Sequence, residues 1–461
     1  MPDATAKITA DSAQAPDSAQ ECLDFLARHP DIRFVDILLT DACGVQRGKR
    51  IPVGELERIW RNGRYMPGSI ISLDITGADV EETGLVWEDG DADRTARPIP
   101  GTLVRVPWKA EPSAQVLLTL FELDGTPSAY DPRQVLARVV SRLAADGLNP
   151  VVAVELEFYV FDASWREAGR PIPPRGSSTG KQAYGMADLD ELGDFLADLY
   201  ATCEVQGLPA DTAISEYAPG QVEINLKHRA DALRAADDAI MYKRLVRAVA
   251  KRHGMEATFM AKPYANETGS GTHLHISLAD GDGANRFAAE GGDDLLRHAI
   301  GGMGATIRDG MLLFAPNANS YRRFQALSYA PLAPTWGINN RTVALRVPIG
   351  PPAAKHVEHR VAGADANPYL ALAAALAGMH RGILDRHDPG PAVTGNGYSA
   401  PGTDIPPNWL DSIRDFRASA VMRDYLGDAF VDAFAKIKLA EYRRFHAQVP
   451  ALDFDWYTRV V

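Results

Sequence analysis

Hydrophobic and polar positions fall into short, punctuated runs over the first quarter of the chain. From Ile32 to Trp108 the runs FVDILL, SIISLDI and TLVRVPW, rich in β-branched residues and separated by Gly and Pro, predict a small strand-rich unit. The stretch DGTPSAYDP then marks a boundary. Its Asp131 can cap, and its Pro132 can start, a helix running through Ala145. Beyond it the pattern predicts strands over 151–161, 273–278 and 342–347, and helices over 188–206, 231–253, 293–308 and 367–384. The segment 163–182, which contains PIPPRGSSTGK, reads as a surface loop between strand and helix. There is no internal repeat. Strands and helices mix without a regular strand-helix-strand rhythm or a Gly-rich phosphate loop, which predicts an α+β fold rather than a doubly wound nucleotide domain.

The expected partition is a disordered tail over 1–19, a small domain over 20–124 and a large domain over 125–461. The tail is rich in Ala, Asp, Ser and Gln, and has neither the basic start nor the apolar core of a signal peptide, so a cytoplasmic location is expected. With 461 residues, 46% of them apolar, the chain can bury a large core. A formal charge of -12 excludes an electrostatic nucleic-acid binder, which needs Lys and Arg in excess. Cys22, Cys43 and Cys203 are too few and too scattered for a disulfide framework or a thiolate metal site, and suit a reducing compartment. The most lipid-like stretch, 369–379, is half the length that spans a bilayer and reads as a buried helix, with no membrane anchor expected.

Four clusters carry chemistry. In VVAVELEFYVF, Glu155 and Glu157 are two apart and share one face of an otherwise apolar strand. Buried and unpaired they would be strongly disfavoured as ions, so a cation is the natural remedy; a solvated face is the alternative. In ISEYAPGQVEINLKH, Glu216 and Glu223 bracket a turn at Pro219 and Gly220, a pattern that by itself is ordinary surface. In GSGTHLHISL, Gly269, Ser270 and Gly271 lead into a strand presenting His273, His275 and Ser277 on one face. Glycines allow close approach to the main chain and paired imidazoles suit a metal, although hydrogen-bonded core histidines would look the same. Last come Arg322, Arg323, Arg341, Arg346 and Arg360, the latter beside Glu358, all near apolar strands. Guanidinium groups match carboxylate and phosphate oxygens. Acids and a histidine for hard divalent cations, with arginines for anionic oxygens, make a phosphoryl-transfer set, which leaves kinase, ligase and nucleotide hydrolase open.

Taken together, VELEF, SEYAPGQVEIN, GSGTHLHISL, FAPNANSYRR, NNRTVALRVP and VEHRVAGADANPYL resemble the glutamine synthetase family, and the region around TDACGVQRGKR looks like its N-terminal β-grasp domain. The resemblance implies a β-grasp domain followed by a catalytic domain built on a curved antiparallel sheet, assembled as a ring of twelve with active sites between subunits. It implies ATP as co-substrate, L-glutamate and a nitrogen nucleophile as substrates, and two or more Mg2+ or Mn2+ ions. Glu157, Glu216 and Glu223 would hold one ion beside the glutamate, and Glu155, His273 and Glu358 a second on the nucleotide phosphates. Gly269, Arg323 and Arg360 would bind the glutamate carboxylates, with Glu157 alongside. Arg341 and Arg346 would face the transferring phosphoryl group, with Arg323 counted among the catalytic arginines. His275 and Ser277 would line the nucleotide site with Arg341 and Arg346.

Two departures from the ammonia-using members stand out. Where they carry acids that bind and deprotonate ammonium, this chain has Pro67 in YMPGSI and Tyr329 in RRFQALSYAP. Fewer negative groups weaken capture of a small cation in a closed site. LDITGADVEETG, PGQVEINLKH and PTWGINNRTVALRVP look most like the branch that makes γ-glutamyl amides from amines, including the γ-glutamylpolyamine synthetases, and the tyrosine that is adenylylated in some members has no counterpart. The expectation is therefore a glutamate-amine ligase, with ammonia-dependent glutamine synthetase or a silent sensor as alternatives. Asp79, Glu81 and Glu82 could receive the far end of a diamine; Tyr65, Met66 and Tyr329 could line an apolar amine.

Overall fold

The computed structural model describes residues 16–168, 172–174, 182–400 and 405–461. Residues 1–15 of the expected tail and much of the expected 163–182 loop lie outside the described residues. Helix α1 (Pro16–Arg28) begins inside the segment read as a tail, so 16–19 are helical, and its Cys22 and Phe25 reach a core. Then come β1 (Phe34–Thr40), β2 (Gln46–Pro52), α2 (Leu56–Asn62), β3 (Arg64–Pro67), β4 (Asp93–Pro98), β5 (Val104–Arg105) and β6 (Ser113–Phe121). They form a six-stranded sheet in the order β2-β1-β6-β4-β3, with β5 on β6; only β1 and β6 run parallel. Two of the expected strands do not form as read. SIISLDI is a 3-10 turn over Gly68–Ile71 followed by irregular chain, where the Asp74 carboxylate accepts from the amides of Thr76 at 2.8 Å and Ala78 at 3.0 Å. Side-chain turn chemistry thus overrides the β-branched pattern. Only two residues of TLVRVPW pair, as β5.

Helix α3 (Pro132–Ala145) starts where its signals predict, with the Asp131 carboxylate accepting from the amide of Arg133 at 2.8 Å. The remaining elements are β7 (Asn149–Asp162), α4 (Trp165–Ala168), α5 (Met186–Glu191), α6 (Gly193–Val205), β8 (Ala210–Ser215), β9 (Gln221–Leu226), α7 (Ala232–Arg252), β10 (Met255–Thr258), β11 (Thr272–Ala279), α8 (Gly292–Phe314), β12 (Trp336–Ile338), β13 (Leu345–Val347), β14 (Val357–His359), α9 (Pro368–Asp385), α10 (Trp409–Ala418), α11 (Ala420–Leu426), α12 (Asp428–His446) and α13 (Ala451–Tyr457). The expected 188–206 helix is two, broken at Leu192. The expected 342–347 strand shrinks to three residues because the Asn340 side chain accepts from the Thr342 amide at 3.0 Å and holds a turn there.

These strands make a second, eight-stranded sheet in the order β12-β13-β14-β11-β7-β9-β8, with β10 pairing the far end of β7. It is antiparallel except for β12 and β13, which run parallel, a correction to the expectation of an antiparallel sheet throughout. One face of β7 and β11 (Val152, Val154, Leu156, Phe158, Leu274, Ile276) is packed in the main core with α3 and α7. Helix α9, capped by Asn367, is the buried Ala- and Leu-rich helix expected over 369–379. It meets α8 closely: a Cβ on Gly302 would lie 2.2 Å from the Gly378 carbonyl oxygen and 2.3 Å from Gly382 Cα, so only glycine permits this contact. Among the described residues no helix is long and apolar enough to cross a membrane.

Candidate active site

The opposite face of the second sheet is where the charged residues collect. Strand register sets His273 of β11 and Asn225 of β9 on either side of Glu155, and Glu223 of β9 opposite Glu157. Glu358 of β14 stands opposite His275, with Arg346 of β13 opposite Glu358 in turn. Alternate residues of a strand share a face, so Ser277 and Arg360 join the same side. A row of acids, imidazoles and guanidinium groups therefore crosses five strands.

The row is densely bonded. His273 Nδ1 lies 2.7 Å from Glu155 Oε2 and 3.6 Å from Glu358 Oε1, and His275 Nε2 lies 3.3 Å from Glu155 Oε1. Arg346 donates to Glu358 Oε2 at 2.8 Å, and Arg360 donates to Glu358 Oε1. The Gly271 amide donates to Glu157 Oε2 at 2.8 Å, and Gln221 donates to the same oxygen at 3.3 Å. Gln221 also donates to the Gly269 carbonyl at 3.1 Å, which ties the glycine loop to β9.

Electrostatics divides the carboxylates into two groups. Burial works against the charge on Glu155, yet hydrogen bonds with His273 and His275 hold it well below the usual range. Burial likewise opposes the charge on Glu358, but Arg360, His273 and His275 bring it down to about 2. Glu216 and Glu223 have no such bonded cation, only the weaker pull of the Arg360 charge. Burial, then the charges of Glu157 and Glu155, raise Glu216 to about 7; burial, then Glu155, Glu157 and Glu216, raise Glu223 to about 10. Like charges crowded in a partly dry site favour protonation unless a cation joins them.

Ligand atoms of Glu155, His275 and Glu358 lie within 4.8 Å of one another, as do those of Glu155, Glu223 and His273. These are not the two triads implied by the resemblance: Glu155 belongs to both groups, and Glu157 and Glu216 to neither. Glu157 is turned to Gly271 and Gln221, and Glu216 follows the end of β8. Carboxylate oxygens with a single imidazole per group, and raised acids with no cationic side chain bonded to them, fit a hard divalent ion such as Mg2+ or Mn2+.

Arg323 approaches from a 3-10 turn. It is buried and donates to the carbonyls of Val361 at 2.8 Å and Arg360 at 3.2 Å; burial lowers its basicity, against the charge of Glu157. Gly269 packs against it, and a Cβ there would stand 2.7 Å from both Arg323 Cγ and the Ala261 carbonyl oxygen. A Cβ on Gly271 would come 3.1 Å from His273 Nε2, so glycine is what lets the loop lie against the row. Ser277 is buried further along β11, opposite Val151. Arg341 is the one expected residue that stands apart: it is exposed in the turn before β13, with no ion pair in the row among the described residues.

The reading of the sequence missed Gln221 and Asn225, the second donating to Glu155 at 3.0 Å. The signal was present, because 221, 223 and 225 alternate on one strand. It also missed His356, whose Nε2 is 2.9 Å from His275 Nδ1, and His228, whose ring centroid is 5.5 Å from that of His356. Burial holds His228 down to about 4, aided by His275 and His356. A cavity of about 780 Å³ lies elsewhere, among the β1–β2 turn, α7 and α12, and none of these site residues lines it.

A sequence model of the glutamine synthetase catalytic domain matches residues 129–457. The chain is 43% identical over 446 residues to gamma-glutamylputrescine synthetase PuuA of Escherichia coli, an alignment spanning 95% of this chain and 94% of that protein. It is 33% identical to gamma-glutamylethanolamide synthetase GlnA4 of Streptomyces coelicolor (97% and 96% covered) and 32% identical to glutamate–isopropylamine ligase of a Pseudomonas species (95% and 97% covered). Among solved structures, ligand-free GmaS superposes with a TM-score of 0.82 at 32% identity, covering 94% of this chain and 98% of that one. The order of its motifs, its curled mixed sheet and its likeness to these proteins over nearly the whole length agree: the chain belongs to the glutamine synthetase family.

Proposed function

We propose that this protein is an ATP-dependent glutamate-amine ligase. A γ-carboxylate oxygen of L-glutamate takes the γ-phosphoryl group of ATP and ADP leaves. The amine nitrogen then attacks the carbonyl carbon of that acyl phosphate, inorganic phosphate departs, and the nitrogen gives up a proton, leaving a γ-glutamyl amide. The observation that carries the reading is whole-length similarity to ligases named for putrescine, ethanolamine and isopropylamine derivatives, in a chain that has Pro67 and Tyr329 where an acid would serve ammonium.

The residues divide the work by charge. Gly269, Arg323 and Arg360 are suited to hold the glutamate carboxylates, with Arg323 preset by two carbonyls so that little ordering is needed on binding. Arg346 lies in the row beside Glu358 and is suited to anionic oxygens of the transferred group, where Arg341, exposed in the turn before β13, would join it. His275 and Ser277, with the neighbouring His356, would line the nucleotide. Glu155, Glu157, Glu216, Glu223, His273 and Glu358 would hold Mg2+ or Mn2+, which when bound neutralises phosphate charge and polarises the phosphoryl group. Residues 20–124 are assigned as a β-grasp domain and 125–461 as the catalytic domain. The parallel pairing of β1 with β6 in a sheet otherwise antiparallel supports that assignment. A cytoplasmic ring of twelve subunits completes the proposal.

The test is glutamate-dependent phosphate release from ATP with Mg2+, supplying ammonium, putrescine, spermidine, ethanolamine, a short alkylamine and aniline in parallel. Preference for an organic amine is expected. Preference for ammonium would mean an ordinary glutamine synthetase, and no release with any of them would mean a sensor.

A further inference from the structure

Beside Glu216 the charged row gives way to aromatic rings. Tyr217 follows Glu216 directly, and its ring centroid lies 5.9 Å from that of Tyr329, the planes 32° apart. Tyr184 comes to the same edge: its amide donates to the carbonyl of Ser215, the residue before Glu216, at 2.9 Å.

The loops that carry these rings are strained. Tyr184 has φ 61°, Tyr329 has φ 60°, and Leu327, two residues before Tyr329, has φ 62°. Left-handed backbone is disfavoured for bulky side chains and persists where the surroundings enforce it, often at ligand sites. The surroundings here are visible. The Ser328 hydroxyl donates to the Gln325 carbonyl at 2.6 Å, and the Tyr398 hydroxyl donates to the Ala330 carbonyl at 3.0 Å. Yet Tyr184, Met186, Leu327 and Tyr329 stay exposed rather than packing into a core. Aromatic faces attract organic cations through their quadrupole, the more so when water is excluded, and methylene groups add apolar burial. Bare ammonium, which has no methylene to bury, gains less from such a site.

We infer that Tyr217 and Tyr329, with Tyr184 at the rim, form an aromatic clamp that selects organic ammonium ions over ammonium as the acceptor. The inference rests on the reading of the chain as a glutamate-amine ligase and names specificity-determining residues for it.

The test uses the full chain with Mg2+, ATP and glutamate, measuring kcat/KM for ammonium, ethylamine, butylamine and putrescine. Tyr329→Gly removes the ring and relieves the left-handed strain, so a loss is not the result of a damaged fold; Tyr329→Phe keeps the ring. For Tyr329→Gly the expected fall with the three organic amines is about tenfold, carried by the amine KM, with ammonium and the glutamate KM within about twofold. Tyr329→Phe is expected to stay within about threefold throughout. An equal fall for ammonium and the amines, no fall for the amines, or a Phe variant as impaired as the Gly variant would each overturn the clamp. The unaltered protein separates the two ideas: if no organic amine supports turnover, the ligase reading itself fails.

Discussion

With the proposed ligand set, the raised acids Glu216 and Glu223 would make metal binding a proton-releasing event. At pH 7.5 a carboxyl raised to about 10 keeps its proton, and one raised to about 7 is roughly three-quarters ionised. A divalent ion that requires both in the ionised form therefore displaces about one proton, and its affinity rises about tenfold per pH unit between pH 6.5 and 9. Because these acids interact, the released proton belongs to the cluster rather than to one residue. Calorimetric titration of Mg2+ or Mn2+ into metal-free protein, in buffers of different ionisation enthalpy, measures both quantities. Glu223→Gln should leave only the shallower dependence below pH 7 that Glu216 supplies. The same shift bears on the metal-free fold. A carboxyl raised in the folded state holds its proton more tightly than in the unfolded chain, so its contribution is fully present below pH 4.5 and is lost as the pH rises through its folded value. For Glu216, raised from 4.5 to about 7, the loss is about 3 kcal/mol, and it should be recovered on adding metal. An affinity independent of pH between 6.5 and 8.5, or an unchanged slope in Glu223→Gln, would refute this account of the cluster.

Two further substitutions probe the positioning of the site. Gly269→Ala places a Cβ 2.7 Å from Arg323 Cγ and the Ala261 carbonyl, so Arg323 must shift. The glutamate KM is then expected to rise about tenfold, as for loss of one charge-assisted contact, with a fall in melting temperature as the Ala261 backbone also moves; an unaltered KM would remove Arg323 from the glutamate site. Gly302→Ala drives a Cβ into the backbone of α9 at Gly378 and Gly382, and is expected to cost about 3 kcal/mol or more by chemical denaturation; a loss under about 1 kcal/mol would mean that α8 and α9 separate easily.

Much of this site can be seen in single strands. Period-two alternation by itself puts Glu155 with Glu157, and His273 with His275, on shared faces, since side-chain direction along a strand is a local property. Cap residues behave the same way. Asp131, Asp231 and Asn367 mark the starts of α3, α7 and α9 because each carboxylate or amide bonds amides only two or three residues on. Locality also explains the errors. SIISLDI has strand composition, but the Asp74 side chain satisfies the backbone a few residues away and a turn results, while Asn340 does the same to the start of an expected strand.

What no local pattern carries is which strand lies beside which. His273 meets Glu155 across 118 positions, and Glu223 meets Glu157 across another strand pair, because long-range pairing sets the register. Nor does spacing separate Arg346, bonded to Glu358, from Arg341, exposed in a turn, though both sit in one motif. The meeting of Tyr217 with Tyr329 likewise belongs to tertiary structure alone. Sequence by itself determined the charge, the faces and the family resemblance of this protein; the folded sheet decided which charges touch, since only packing brings groups far apart in the chain within reach and then shifts their affinity for protons and metal.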